Sequence, residues 1–126
     1  MRSNESDRLF STTEKSALEL CAMPIVQTVE SWYAENLDRL KTEWPTIRIR
    51  CNEPTDPVRG KVTIEAESDR VAAFVKFWNK GDVDVERMDL PVKRITVIDD
   101  RSLSPSEDIC LLLDSYFRQI LQHRDS

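Results

Sequence analysis

Three stretches of the chain alternate apolar and polar residues one by one. Residues 47–51 read I-R-I-R-C, residues 61–67 read K-V-T-I-E-A-E, and residues 82–86 read D-V-D-V-E. A period of two sends successive side chains to opposite faces of a strand, so each stretch calls for a sheet with one apolar and one polar face. A fourth stretch, V-A-A-F-V-K-F-W at 71–78, is apolar almost without a break. The links between these runs are short. Ser68 and Asp69 form one turn, Asn79, Lys80 and Gly81 another, and N-E-P-T-D-P at 52–57 is a loop whose two prolines exclude a central strand. Short links favour an antiparallel meander. Pro91 ends the fourth run near Leu90, and K-R-I-T-V-I-D at 93–99 is the candidate for a fifth, short strand.

Helical spacing brackets the strands. S-T-T-E at 11–14 has capping-box spacing, and behind it Leu18, Cys21, Ile25, Val29, Trp32, Leu40 and Trp44 recur at mostly three- and four-residue steps. Pro24 inside that stripe predicts a kink or break near Met23, and Pro45 ends the helix. At 104–107, S-P-S-E offers an N-cap serine, proline at the first helical position and glutamate at the third. Ile109, Leu112, Leu113, Tyr116, Phe117 and Ile120 then mark one apolar face. The order predicts a two-layer α+β fold: an antiparallel meander of four or five strands, with a long N-terminal helix and a C-terminal helix covering one face. The 126 residues fit a single domain over 11–123, with a loose N-terminus at 1–10 and a tail at 124–126.

The hairpin register follows from its turn. Three loop residues ending in glycine match a type I turn plus bulge, with glycine taking the positive φ. That sets Trp78 against Asp82, Phe77 against Val83, Lys76 against Asp84 and Val75 against Val85. A two-residue loop would instead set Phe77 against Asp84 and bury a charge, at a cost of several kcal/mol. Ala73, Val75 and Phe77 therefore face inward. Phe74, Lys76 and Trp78 face outward beside Asp82, Asp84 and Glu86. Aromatic residues ringed by charge have the composition of a protein-binding hot spot, and these six are the candidate partner-binding residues. Two alternatives stand beside that reading: a loop or the N-terminus covers Phe74 and Trp78, or both are ordinary cross-strand fillers.

Residues for catalysis are scarce. The single histidine, His123, follows Gln122 near the chain end, where a solvated helix-end role is expected. Cys110 is thirteen residues away on the same helix, about 20 Å, out of reach of a Cys–His pair. Cys21, Cys51 and Cys110 have no C-x-x-C spacing and read as three buried, reduced thiols. With glycine only at 60 and 81, no phosphate-cradling loop is present. Asp82, Asp84 and Glu86 project in parallel from a strand, an arrangement that suits a solvated edge better than a metal site. Hence neither catalysis nor a cofactor nor a metal is expected. The balance of 18 basic and 23 acidic residues, net −5, disfavours nucleic acid. Arg48, Arg50 and Lys61, near Glu53, Glu65 and Glu67, form a mixed-charge face. No apolar run reaches the ~18 residues of a membrane span, and a cytoplasmic protein with a protein partner is expected.

The residues F-W-N-K-G-D-V-D-V-E at 77–86 and the later leucine-rich helix at 108–120 carry a resemblance. A strand ending in tryptophan, a glycine turn, an acid–valine strand and a terminal helix resemble small bacterial immunity proteins, and look most like the family called immunity protein TriTu. The similarity runs from about Val58 to Leu121. It implies an antidote to a polymorphic or contact-dependent toxin, binding the cognate toxin's C-terminal domain and blocking its active site or substrate access, with no catalytic residues of its own. Many such toxins are basic nucleases, which an acidic antidote matches. The other expectation is an acidic secretion chaperone of the type III kind that holds an effector segment. Such a chaperone would be a stable dimer with an apolar groove.

Overall fold

The computed structural model describes residues 24–122. The 11–14 capping box, Leu18, Cys21, His123, and the segments 1–10 and 124–126 lie outside the described residues. Among the described residues seven elements follow one another: α1 (Ile25–Glu43), β1 (Thr46–Asn52), β2 (Lys61–Glu67), β3 (Val71–Trp78), β4 (Asp82–Asp89), β5 (Arg94–Ser102) and α2 (Ile109–Gln122). The strands form one antiparallel sheet in the order β1-β2-β3-β4-β5. Each alternating stretch became one strand, and the fifth is nine residues long.

The observed register pairs Phe77 with Val83, Lys76 with Asp84 and Val75 with Val85. Gly81 takes φ +108, its N–H donates to the Trp78 carbonyl at 2.9 Å, and its own carbonyl accepts the Leu103 N–H at 2.7 Å. Val62, Ile64, Ala73, Val75, Phe77, Val83 and Val85 pack against Val29, Trp32, Leu113, Tyr116, Phe117 and Ile120 in one core, so both helices cover the same face. At about 25 cal/mol per Å², a fully buried Val, Leu, Ile or Phe contributes roughly 1.5–3 kcal/mol, and this cluster dominates the stability. Phe117 sits between two tryptophans, stacked on Trp32 at 5.7 Å between ring centroids and edge-on to Trp44 at 6.1 Å. Such aromatic pairs add about 0.5–1.5 kcal/mol beyond the area they bury.

Both helix starts depart from simple sequence signals. The helix α1 begins directly after Pro24, whose own side chain has no oxygen to cap it. Instead, Asn79, 53 residues away, offers Oδ1 to the Val26 N–H at 2.9 Å, while its Nδ2 donates to the Pro54 and Asp56 carbonyls at 2.8 and 2.9 Å. One amide thus ties the β3–β4 turn, the β1–β2 loop and α1 together. At the other helix, S-P-S-E forms a turn of its own rather than the helix start. The Ser104 N–H donates to Glu107 at 3.1 Å, half of a capping box. The helix proper starts at Ile109, with Asp108 capping the Leu111 N–H at 3.1 Å. Glu107 is also gripped by Arg101 through two nitrogens at 2.6 and 2.9 Å, a bidentate charge-assisted pair. The expected buried thiols also need correction: Cys51 is half-buried at the margin of the helix-covered face and Cys110 is exposed on α2, both free.

Candidate protein-binding face

The side of the sheet away from the two described helices carries every predicted contact residue. Phe74, Lys76 and Trp78 project from β3, and Asp82, Asp84 and Glu86 from β4, all partly exposed. Phe74 stands opposite Glu86 and Lys76 opposite Asp84. The Lys61 ammonium lies 5.5 Å from the Trp78 ring centre, a cation–π contact that leaves the indole partly accessible. Asp82 accepts the Ser102 hydroxyl at 2.9 Å and sits 3.4 Å from the Lys80 ammonium. The N-terminus, one of the two alternatives for covering Phe74 and Trp78, lies outside the described residues.

Charge is unevenly spread over this face. On the β1–β2 side, Glu65 takes Arg48 at 2.6 Å and Arg50 at 2.7 Å, which holds its carboxyl below the ordinary range, the Arg48 hydrogen bond being the largest cause. The mixed-charge reading of that side is what the structure shows. On the β4–β5 side the acids accumulate, because Asp100 of β5 pairs with Asp84. A shallow hollow of ≈ 380 Å³ at the hairpin end is lined by Trp78, Lys80, Asp82, Asp84, Asp100 and Ser102, among others.

Three residues missed in the sequence complete the face. Met88 pairs with Ile95, and Glu86 with Val97, so Ile95 and Val97 point outward on the same face as Phe74, with Glu86 between Phe74 and Val97. They are 57% and 56% exposed. The alternation I-T-V in β5 carries this signal, but its registration on β4 passes through a bulge: Val85 pairs with Asp99 and Glu86 with Val97, leaving Ile98 extra. A bulge of this kind shifts every later side chain to the other face, so counting along the sequence cannot place them.

Elsewhere the reactive groups are quiet. Burial, then the hydrogen bond and negative charge of Glu30, push the Cys51 thiol up to about 12. Burial, then the acids Asp108, Glu35 and Asp114, raise the Cys110 thiol. Asp99 accepts the Tyr116 hydroxyl at 2.6 Å and the Arg101 Nε at 3.0 Å, and these bonds outweigh its burial and hold it ionised. That assembly fastens α2 to β5. A hollow of ≈ 520 Å³ between α1 and α2 is crossed by Arg39–Asp114 at 3.4 Å, while Asp114 also accepts the Trp32 indole N–H at 3.1 Å, which marks it as a helix junction. Among the described residues no group of three or more His, Cys, Asp or Glu is placed to hold a metal ion, and no helix is long and apolar enough to cross a membrane. Compared with protein-family models, curated proteins and solved structures, the chain finds no match.

Proposed function

We propose that the protein is a cytoplasmic immunity protein that binds a cognate toxin domain and blocks its active site or its access to substrate. The resemblance of residues 58–121 to immunity protein TriTu motivates the reading. The observation that supports it is a sheet face, outside the cover of α1 and α2, where Phe74 and Trp78 sit among Asp82, Asp84 and Glu86. Negative charge there suits a basic toxin and speeds encounter with it. The protein's part is occlusion, with no chemistry of its own.

The test pairs the chain with the C-terminal domain of the large secreted protein expected from the neighbouring gene. Co-expression restores growth, and the two purified chains form a stable complex. The double change Trp78→Ala and Asp84→Lys weakens that complex at least ten-fold while circular dichroism stays unchanged. Unchanged affinity in the double variant removes this face from the mechanism. A dimer that holds an unfolded segment, and no folded domain, replaces the antidote with the secretion chaperone.

A further inference from the structure

Outer-face residues sort by height along the strands. Nearest the β4–β5 turn is an apolar row, Ala72, Met88 and Ile95. The next row mixes Phe74, Glu86 and Val97, and the one after it carries Lys76, Asp84 and Asp100. At about 3.3 Å per residue, successive rows on one face are ~7 Å apart, which puts the apolar row and the acidic row ~14 Å from each other. Ile95 and Val97 are more than half exposed, although a sheet face meant only for water is served by threonine or lysine. The arginines of this face do not neutralise the acids, because Glu65 engages Arg48 and Arg50 on the far side.

We infer that the centre of the docking surface is the Phe74–Met88–Ile95–Val97 patch on β3, β4 and β5, and that its partner is a cationic protein surface. That partner presents an apolar cluster flanked on one side, ~7–14 Å away, by Lys or Arg. The inference rests on the reading of the outer face as a protein-binding surface. A second copy of the chain, with the same net charge of −5, is the less favoured occupant, and dimerisation through this face would overturn the choice. Trp78, one of the six residues named from the sequence, then belongs to the rim, where Lys61 already occupies its ring.

Two ten-residue peptides of equal charge serve as probes, one alternating Lys and Leu, the other Lys and Ser, with amide shifts of the labelled protein as readout. The Lys–Leu peptide shifts β4 and β5 and binds at least ten-fold tighter than the Lys–Ser peptide, and its affinity falls about ten-fold between 0.05 and 0.5 M salt. Ile95→Glu with Val97→Glu removes the preference for Lys–Leu. Asp84→Asn with Asp100→Asn removes most of the salt dependence. Equal affinity for the two peptides, shifts confined to α1 and α2, or no binding of either overturns the patch. The antidote reading fails separately: it falls if the neighbouring toxin domain does not bind while the peptides do, and it survives without the patch if that domain binds the Ile95→Glu, Val97→Glu variant as tightly as the parent.

Discussion

Replacing Asn79 by alanine tests whether one side chain joins three parts of the fold. The change removes the acceptor for the Val26 N–H and the donor to both the Pro54 and Asp56 carbonyls. Losing the helix cap costs about 1 kcal/mol, within a range of 0.5–2. Each carbonyl bond is worth about 0.5–1.5 kcal/mol net. The Asp56 carbonyl keeps the Gly60 N–H at 3.0 Å, so its loss lies at the low end. Because the site is only half-buried, water reaches part of what is exposed, and the total is about 2–3 kcal/mol. For a domain of this size that lowers the melting temperature by about 10 °C.

Gly60 supplies the cross-check. A Cβ there would overlap the Asn79 amide nitrogen and lie 2.6 Å from the Asp56 carbonyl oxygen and 2.8 Å from that of Glu53. Gly60→Ala is therefore destabilising by at least as much as Asn79→Ala. The double variant loses clearly less than the sum, because the crowding against Asn79 is gone and its bonds are already broken. Thermal melts by circular dichroism and urea titrations at pH 7 measure all three. A loss under about 0.5 kcal/mol in Asn79→Ala, or strict additivity in the double variant, refutes the three-way tie.

Two further predictions concern charges on the helix-covered side. The Arg101 fork and the Ser104 N–H hold the Glu107 carboxyl down at about 2. A depressed carboxyl stabilises above its unfolded value and loses that contribution as pH falls through its folded one. The urea midpoint of the parent should therefore hold above about pH 5 and fall toward pH 2, while Glu107→Gln starts lower and falls less over the same window; an equally steep fall contradicts the pairing. Arg87, at an inward-facing position of β4, is 2% exposed; its Nη2 meets Asp89 at 2.7 Å, while Nε and Nη1 have no partner among the described residues. Asp89→Ala strands the buried guanidinium and loses about 3 kcal/mol, whereas Arg87→Met costs less, because Asp89 is partly exposed and keeps Arg94 at 3.3 Å. Urea midpoints of the two variants decide it, and a larger loss in Arg87→Met reverses the reasoning.

Much of this fold was legible because its signals are local. Alternation gives strands and faces, and the Asn79-Lys80-Gly81 turn gives the β3–β4 register, with Gly81 at the positive φ that the turn requires. The features that were not legible depend on pairs distant in sequence. Nothing near Pro24 points to Asn79 as its helix cap, and nothing near Glu107 shows that Arg101 will engage it. Arg87 continues the inward alternation after Val83 and Val85, within the strand the sequence predicts, but nothing in that alternation says that Asp89 will pair with its buried guanidinium. The candidate face was half legible. Its β3 and β4 members follow from the turn, and its β5 members wait on a bulge.

The distribution of polar ties bears on what the outer face is for. Fastenings between layers sit on the helix-covered side or at its margins: Asn79 at the turn end and Tyr116–Asp99–Arg101–Glu107 between β5 and α2, while Arg87–Asp89 joins two inward positions of β4. The outer side has none to make, since no described element packs on it. Its stability requirement is met by cross-strand pairs worth about 0.2–1 kcal/mol each, which threonine and lysine satisfy as well as isoleucine does. Folding therefore accounts for Val62, Ile64 and Phe77 and leaves Ile95 and Val97, exposed by more than half beside Asp84 and Asp100, without a structural role. Exposed apolar surface also carries a risk of self-association at an edge strand. Replacing Ile95 and Val97 by threonine should accordingly leave the melting temperature within about 2 °C of the parent, a change small enough that any effect on partner binding reflects contact and not folding.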